Sequence, residues 1–229
     1  MIAPNPIERA LAQLNALADP EKAIEAQAYH KTERPYLGLK VPHIEELTTQ
    51  WRADLSLEDR LQLAADLWET NIHDARIASA KLLTQARIKP DDAAWDLICH
   101  WVPQFDAWAI ADTACIAAQK RITADPSRIE TVEGWTTHEN MWTRRAALVA
   151  TLPFTKQNFP KPFELAIRDR VLSWAAVYID DKDWFIQKAV AWWLRDLSKH
   201  DPARTAAFLD QHGARMKTFA SKEAAQYLG

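Results

Sequence analysis

Between Asp106 and Lys120 the chain reads Ala-Trp-Ala-Ile-Ala-Asp-Thr-Ala-Cys-Ile-Ala-Ala-Gln, and Asp112 is the only acid in that apolar run. Burying an unpaired carboxylate costs several kcal/mol or forces its protonation. Asp112 therefore needs a partner or a purpose, and Trp108 lies one helical turn before it on the same face. A buried Asp that caps another helix or pairs with an arginine accounts for it equally well at this point.

Two further groups break an apolar pattern. Arg145 has Met141, Trp142, Leu148 and Val149 as helical neighbours. It either neutralises an acid across a helix pair or holds a phosphate bidentately, and the adjacent Arg144 competes for that role. In Phe185-Ile-Gln-Lys-Ala-Val-Ala-Trp-Trp-Leu-Arg195, Lys188, Trp192, Arg195 and Lys199 fall at i, i+4, i+7 and i+11. A cationic stripe with an indole inside it supplies base stacking plus phosphate contact. Trp193, a quarter-turn away, reads as core, as do Trp51, Trp68, Trp95, Trp101, Trp135 and Trp174.

Other chemistries find no support. The seven histidines show no HExxH or comparable pairing, so no metal site is expected. There is no GxSxG, and neither Cys99 nor Cys115 carries a nucleophile signature. Only four glycines occur (Gly38, Gly134, Gly213 and Gly229), which excludes a phosphate-binding glycine loop and disfavours a turn-rich β architecture.

The elements that must position these residues are helices. A chain of 229 residues, 48% hydrophobic and 26% charged, suits a soluble globular protein with a sizeable core. Its formal charge of −3 is uneven: residues 1–138 carry 14 Lys+Arg against 21 Asp+Glu, residues 139–229 carry 14 against 10. A basic second half favours a polyanionic partner, while the overall acidity argues against one. No apolar run spans a bilayer, and Met-Ile-Ala-Pro-Asn-Pro lacks a basic-then-apolar leader, so a reduced, cytoplasmic protein with no membrane contact is expected.

Apolar spacing of three to four predicts helices over 5–18, 20–30, 42–53, 57–70, 73–87, 91–102, 105–120, 125–136, 139–151, 160–179, 182–199, 202–211 and 214–228. Ser56 with Asp59 marks a start, and Pro90, Pro126 and Pro202 sit at or just before first turns. Helices in pairs, joined by short connections, fit two-helix HEAT-like repeats. The expected fold is all-α: a curved solenoid of antiparallel helix pairs (an α-α superhelix) forming one domain over 1–229.

Three segments taken together resemble the AlkD family of DNA alkylation repair glycosylases: Ala-Trp-Ala-Ile-Ala-Asp (107–112), Met-Trp-Thr-Arg-Arg-Ala-Ala-Leu (141–148) and Phe-Ile-Gln-Lys-Ala-Val-Ala-Trp-Trp-Leu-Arg-Asp (185–196). Leu-Gly-Leu-Lys-Val-Pro (37–42) is similar to that family's N-terminal element. The matches keep the family's order and cover most of the chain.

The resemblance implies a DNA glycosylase that grips duplex DNA and hydrolyses the N-glycosidic bond of positively charged N3- and N7-alkylpurines in base excision repair. It implies Asp112 as the catalytic carboxylate, Trp108 and Trp192 as indoles lining the lesion's deoxyribose, and Arg145 as a backbone anchor. Arg144, Lys188, Arg195 and Lys199 join the DNA-backbone set, and Tyr29 and Lys40 fall where the family faces DNA. A cationic base leaves without a general acid, and one ionised carboxylate can stabilise the oxocarbenium-like sugar. Indole faces add about 0.5 to 2 kcal/mol each toward positive charge. The base is left largely stacked, with no tight flipping pocket. No lysine or N-terminal proline is placed for Schiff-base chemistry, so a monofunctional, monomeric hydrolase without cofactor is expected.

Two positions depart from the family. Ala107 stands where relatives carry a second Trp, which predicts a more open groove wall, and His43-Ile44-Glu45-Glu46 lacks an arginine common there. The alternative is a non-catalytic HEAT-like module that binds branched or distorted DNA or a protein partner. Retention of Asp112, both indoles and Arg145 argues against it.

Overall fold

The computed structural model describes residues 5–228. The first four residues, where the segment read for a leader begins, and Gly229 lie outside that range. Among the described residues the regular structure is helical, with thirteen α-helices and short 3-10 turns. They are α1 (Pro6–Ala16), α2 (Pro20–His30), α3 (Val41–Asp54), α4 (Leu57–Glu69), α5 (His73–Leu82), α6 (Asp92–Trp101), α7 (Trp108–Ala124), α8 (Ile129–Trp135), α9 (Met141–Ala150), α10 (Pro162–Tyr178), α11 (Trp184–Ser198), α12 (Pro202–His212) and α13 (Thr218–Ala224). None of these helices is long and apolar enough to cross a membrane.

Local chemistry sets the helix ends. Asp19, Ser56, Asn140 and Asp183 each accept a backbone N–H from the first turn they precede, satisfying donors that have no partner inside the helix. Pro20, Pro162 and Pro202 open their helices, where a missing N–H costs little. Lys31, at φ 56°, stops α2 in the left-handed region.

The helix ends differ from expectation most in α5, α7, α8 and α13. α7 runs on to Ala124 rather than 120, and α8 begins at Ile129 rather than 125 because Pro126–Arg128 forms a 3-10 turn. α5 ends at Leu82 rather than 87, because guanidinium groups rather than a further turn take up carbonyls at and beyond its last turn. Arg52 reaches Lys81 O at 2.9 Å, and Arg121 reaches Gln85 O at 2.5 Å and Ala86 O at 3.1 Å. α7 begins at Trp108, not 105, because Phe105 is extended and buried. α13 is confined to 218–224, since Gly213–Arg215 forms a separate 3-10 turn.

The chain divides into two compact units, Met1–Arg121 and Ile122–Gly229. In the first, α5 packs on α3 and α4, and α4 also meets α1 and α6. Trp68 and Trp101 stack at 4.6 Å and 10° at its centre, both fully buried, with the Arg76 guanidinium 4.7 Å above Trp68. In the second, α11 is the central helix, packed by α9, α10, α12 and α13, and its Trp193 is fully buried. The other tryptophans read as core, Trp51, Trp95, Trp135 and Trp174, are buried too.

Each unit uses the same device to hold a loop. Arg121, fully buried, pairs with Asp91 at 3.2 Å while donating to Gln85 O and Ala86 O. Arg168, 1% exposed, pairs with Asp201 at 3.2 Å while donating to Phe154 O and Gln157 O. A buried guanidinium survives this way because several of its donors meet acceptors and a carboxylate balances its charge.

Candidate active site

The first unit builds a groove from the connection after α2. Gly38 sits at φ 75°, and a Cβ there would lie 2.3 Å from Asp19 O and 2.5 Å from Ala23 N. Only glycine allows so close an approach to the start of α2. Asp74, 3% exposed, accepts the N–H of Leu37 at 2.8 Å and of Leu39 at 2.9 Å, while the His73 N–H donates to Pro35 O at 2.9 Å. The first residues of α5 thus fasten the Leu37–Pro42 segment on both sides of Gly38. That fastening fixes where Lys40 emerges.

A second clamp sets the entry to α7. Arg34, 5% exposed, is paired with Asp106, which ties the connection after α2 to the residues just before Trp108. Trp108 then occupies the first turn of α7, 38% exposed. Asp112 follows one turn later, half-buried. Ala107 is 2% exposed and sealed in the fold, so its small side chain does not open a groove wall; Ala109 lines the groove instead.

The resulting groove has a volume of about 510 Å³ and is lined by Tyr29, His30, Lys40, His73, Asp74 and Trp108 among others. Three residues singled out in the sequence, Tyr29, Lys40 and Trp108, therefore share one wall system. Tyr29 meets Trp108 edge to face at 6.3 Å. His30 and His73 were not singled out at all. Their rings lie 4.6 Å apart, His30 touches Trp108 at 5.6 Å, and Tyr36 stacks on His73 at 4.5 Å. Burial pushes the His73 imidazole down to about 3, aided by His30 and Arg34. His30 is lowered for the same first reason, burial. No local spacing joins positions 29–30 to 73, so periodicity could not have found this pairing.

The second unit holds the remaining candidates. Arg145, 4% exposed, donates to Phe185 O at 3.0 Å. Arg144 donates to His138 O and Glu139 O and pairs with Asp181 at 3.0 Å. Tyr178 donates to Thr136 O and Arg144 O, and its burial raises its phenol above the ordinary range. Trp192 lies half-buried on α11. Lys188 and Arg195 both reach Glu223 of α13, each at 2.6 Å, which puts them on one face of α11. Lys199 stands 4.5 Å over the Tyr227 ring. The sequence pattern displayed these cations but not Glu223 or Tyr227, which reach them from a separate helix and its tail.

Over residues 10–228 the sequence matches the model of the DNA alkylation repair enzyme family, and the chain belongs to that family. No curated protein gives a match. Among solved structures it is similar to one from Enterococcus faecalis described as a predicted DNA alkylation repair enzyme, at 21% identity and TM-score 0.75, over 93% of this chain and 97% of that one. It is also similar to AlkD2 from Streptococcus mutans, at 15% identity and TM-score 0.64, over 96% and 98%. A third, smu.31 from Streptococcus mutans UA159, is 15% identical at TM-score 0.61 over 91% and 98%. At these identities the likeness shows a shared all-α fold, the class expected from the sequence.

Proposed function

We propose that the protein is a monofunctional alkylpurine DNA glycosylase that hydrolyses the N-glycosidic bond of N3- and N7-alkylated purines in duplex DNA. What supports this reading is Asp112 one turn beyond the partly exposed Trp108 on α7, the helix whose first turn helps line a ring-rich groove together with Lys40. Family membership supplies the repair context.

An N-alkylated purine is already a cationic leaving group, so the enzyme's task is to stabilise positive charge that grows on the sugar. In this reading Asp112 stabilises that oxocarbenium character and orients the attacking water. Trp108 presents its indole to the lesion's deoxyribose, and Trp192 of the second unit has the same assigned role. Arg145, Arg144, Lys188, Arg195 and Lys199 are assigned to the DNA backbone, and Tyr29 and Lys40 to contacts from the first unit. The enzyme acts as a cytoplasmic monomer without cofactor.

Incubation with duplex DNA containing N7-methylguanine should release free base, and Asp112→Asn should slow release at least tenfold. Equal rates for the two proteins remove Asp112 from the mechanism. Absence of release from any N3- or N7-methylpurine substrate overturns the enzyme reading and leaves a DNA-binding module.

A further inference from the structure

A second groove of the first unit lies between α4 and α6, with a volume of about 680 Å³, and shares no lining residue with the groove around Trp108. Its floor is apolar: Leu57, Leu61 and Ala65 from α4, Ala93 and Leu97 from α6, and Pro90 just before α6. Positions 57, 61 and 65 recur every four residues, as do 93 and 97, so each helix offers one straight apolar ridge. The helices pack on each other, yet Leu57, Leu61 and Leu97 stay only half-buried and Ala93 and Pro90 are exposed. The described residues leave the furrow between the ridges uncovered.

The rim of the furrow is acidic. Glu58 lines it from α4 and Asp96 from α6, both exposed, and among the described residues neither carboxylate meets an ion pair or a hydrogen-bond donor. The two helices together carry six carboxylates, four on α4 and two on α6, against one guanidinium. That one, Arg60, is 7% exposed and donates to Gln85, so it does not offset the rim. Lys89 is an exposed cation beside Pro90, at one end of the furrow, and His100 on α6 stands 3.9 Å from Glu69 of α4.

Carboxylates in those places repel phosphate, so nucleic acid does not suit this groove. Its complement is a surface that sets an apolar ridge between cations. The α4 ridge from Leu57 to Ala65 runs about 12 Å, room for about two turns of a further helix. A helix with its own ridge at four-residue spacing fills such a furrow by the packing that joins helices within a fold. Lysine or arginine on either side of that ridge meets Glu58 on one bank and Asp96 on the other. Apolar contact then supplies the holding energy, and charge decides which helices are accepted.

We propose that the α4–α6 groove docks a basic amphipathic helix of a partner protein, its apolar ridge seated between Leu61 and Leu97 and its cations on Glu58 and Asp96. None of these residues is assigned to DNA or to bond cleavage, so partner docking and base release are separate properties of the chain.

The probe is a fluorescein-labelled synthetic helix of leucine and lysine, about four turns long, with its leucines at i, i+4, i+7 and i+11. Titrated with the full chain and followed by fluorescence anisotropy, it should bind saturably and more weakly as salt rises. The same peptide with glutamate in place of lysine should not bind, nor should one whose leucines are scattered around the helix. Asp96→Lys, at an exposed position, and Leu61→Gln, on the floor, should each weaken the leucine–lysine helix at least tenfold. Asp210→Lys makes the same change of charge at an exposed position of the second unit, and should leave binding within about twofold. Base release by Asp96→Lys should match the wild type. Failure of the leucine–lysine helix to bind, equal binding by Asp96→Lys and the wild type, or an equal loss in Asp210→Lys overturns the proposal. Binding of the glutamate peptide as tightly as the lysine peptide overturns the basic partner. A protein that dimerises by itself and becomes monomeric in Leu61→Gln would make a second copy of this chain the occupant, and overturns it too.

Discussion

The two units treat their polar groups in opposite ways. In the first, the groove displays rings whose charge has been suppressed by burial: His30 and His73 are neutral, their Nδ1 atoms are sealed, and Tyr29 and Trp108 remain 68% and 38% exposed. In the second, the cations of α11 come already matched, Lys188 and Arg195 to one carboxylate and Lys199 to one phenol ring. The difference teaches where affinity and selectivity arise. Contacts from α11 must be exchanged, Glu223 for phosphate, so they gain little net energy. The exposed faces of Trp108 and Tyr29 carry no ion pair to exchange, so contacts made there give up less.

The sharpest way to break this contrast is Gly38→Ala. Its Cβ would meet backbone atoms at 2.3 and 2.5 Å, and its φ of 75° is strained for any L side chain. Strain of about 1–2 kcal/mol and overpacking of about 1–3 kcal/mol should together lower stability by roughly 3 kcal/mol in urea unfolding. A variant with wild-type stability would show that the Leu37–Pro42 segment does not position the groove.

Glu223→Gln sharpens the other half. Its side chain is 13% exposed and holds two cations, so loss of the charge should cost about 1.5–3 kcal/mol of stability, the range for charged hydrogen bonds. The same change frees Lys188 and Arg195 for phosphate. Each added phosphate contact steepens the log–log salt dependence by about 0.9, so duplex binding should gain up to about 1.8 in slope. An unchanged slope means these two cations do not meet DNA.

Acid should act through the first unit. His73 titrates near 3 in the fold and about 6.5 unfolded. Below 6.5 the unfolded chain therefore binds a proton that the folded chain refuses, and stability falls with falling pH. The contribution is complete above 6.5 and is lost toward 3, at up to about 1.4 kcal/mol per pH unit. Thermal unfolding between pH 7 and 5 should show that decline, and His73→Phe should flatten it. A variant as acid-sensitive as the wild type would assign the decline to other groups.

The helices were legible from the sequence because they rest on local rules. Apolar spacing, the Ser56–Asp59 start and prolines at first turns placed all thirteen, with ends missed where distant arginines, an extended buried Phe105 or short 3-10 turns decided them. Asp112 and Trp108 were visible because one turn of helix connects them. His30 with His73, and Glu223 with Lys188 and Arg195, were not. Each depends on a tertiary meeting of elements more than 25 residues apart, and neither histidine interrupts an apolar pattern on its own helix.

The smallest expected effect concerns Lys199. Unlike Lys188 and Arg195 it meets no carboxylate among the described residues; the Tyr227 ring lies 4.5 Å away. A cation over a ring at an exposed site contributes about 0.5–1 kcal/mol, so Tyr227→Leu should lower stability by no more than that. Because the ring leaves the ammonium charge in place, phosphate can recruit Lys199 without displacing an anion. Lys199→Ala in an otherwise unchanged chain should therefore reduce the salt slope of duplex binding by about 0.9, whereas Lys188→Ala should reduce it by less, its charge being partly cancelled by Glu223. Combining each with Glu223→Gln separates the two cases: the Lys188 effect should grow and the Lys199 effect should not. Equal slopes in all four proteins would show that α11 contributes no phosphate contact, and would leave the groove of the first unit as the part of the molecule that recognises DNA.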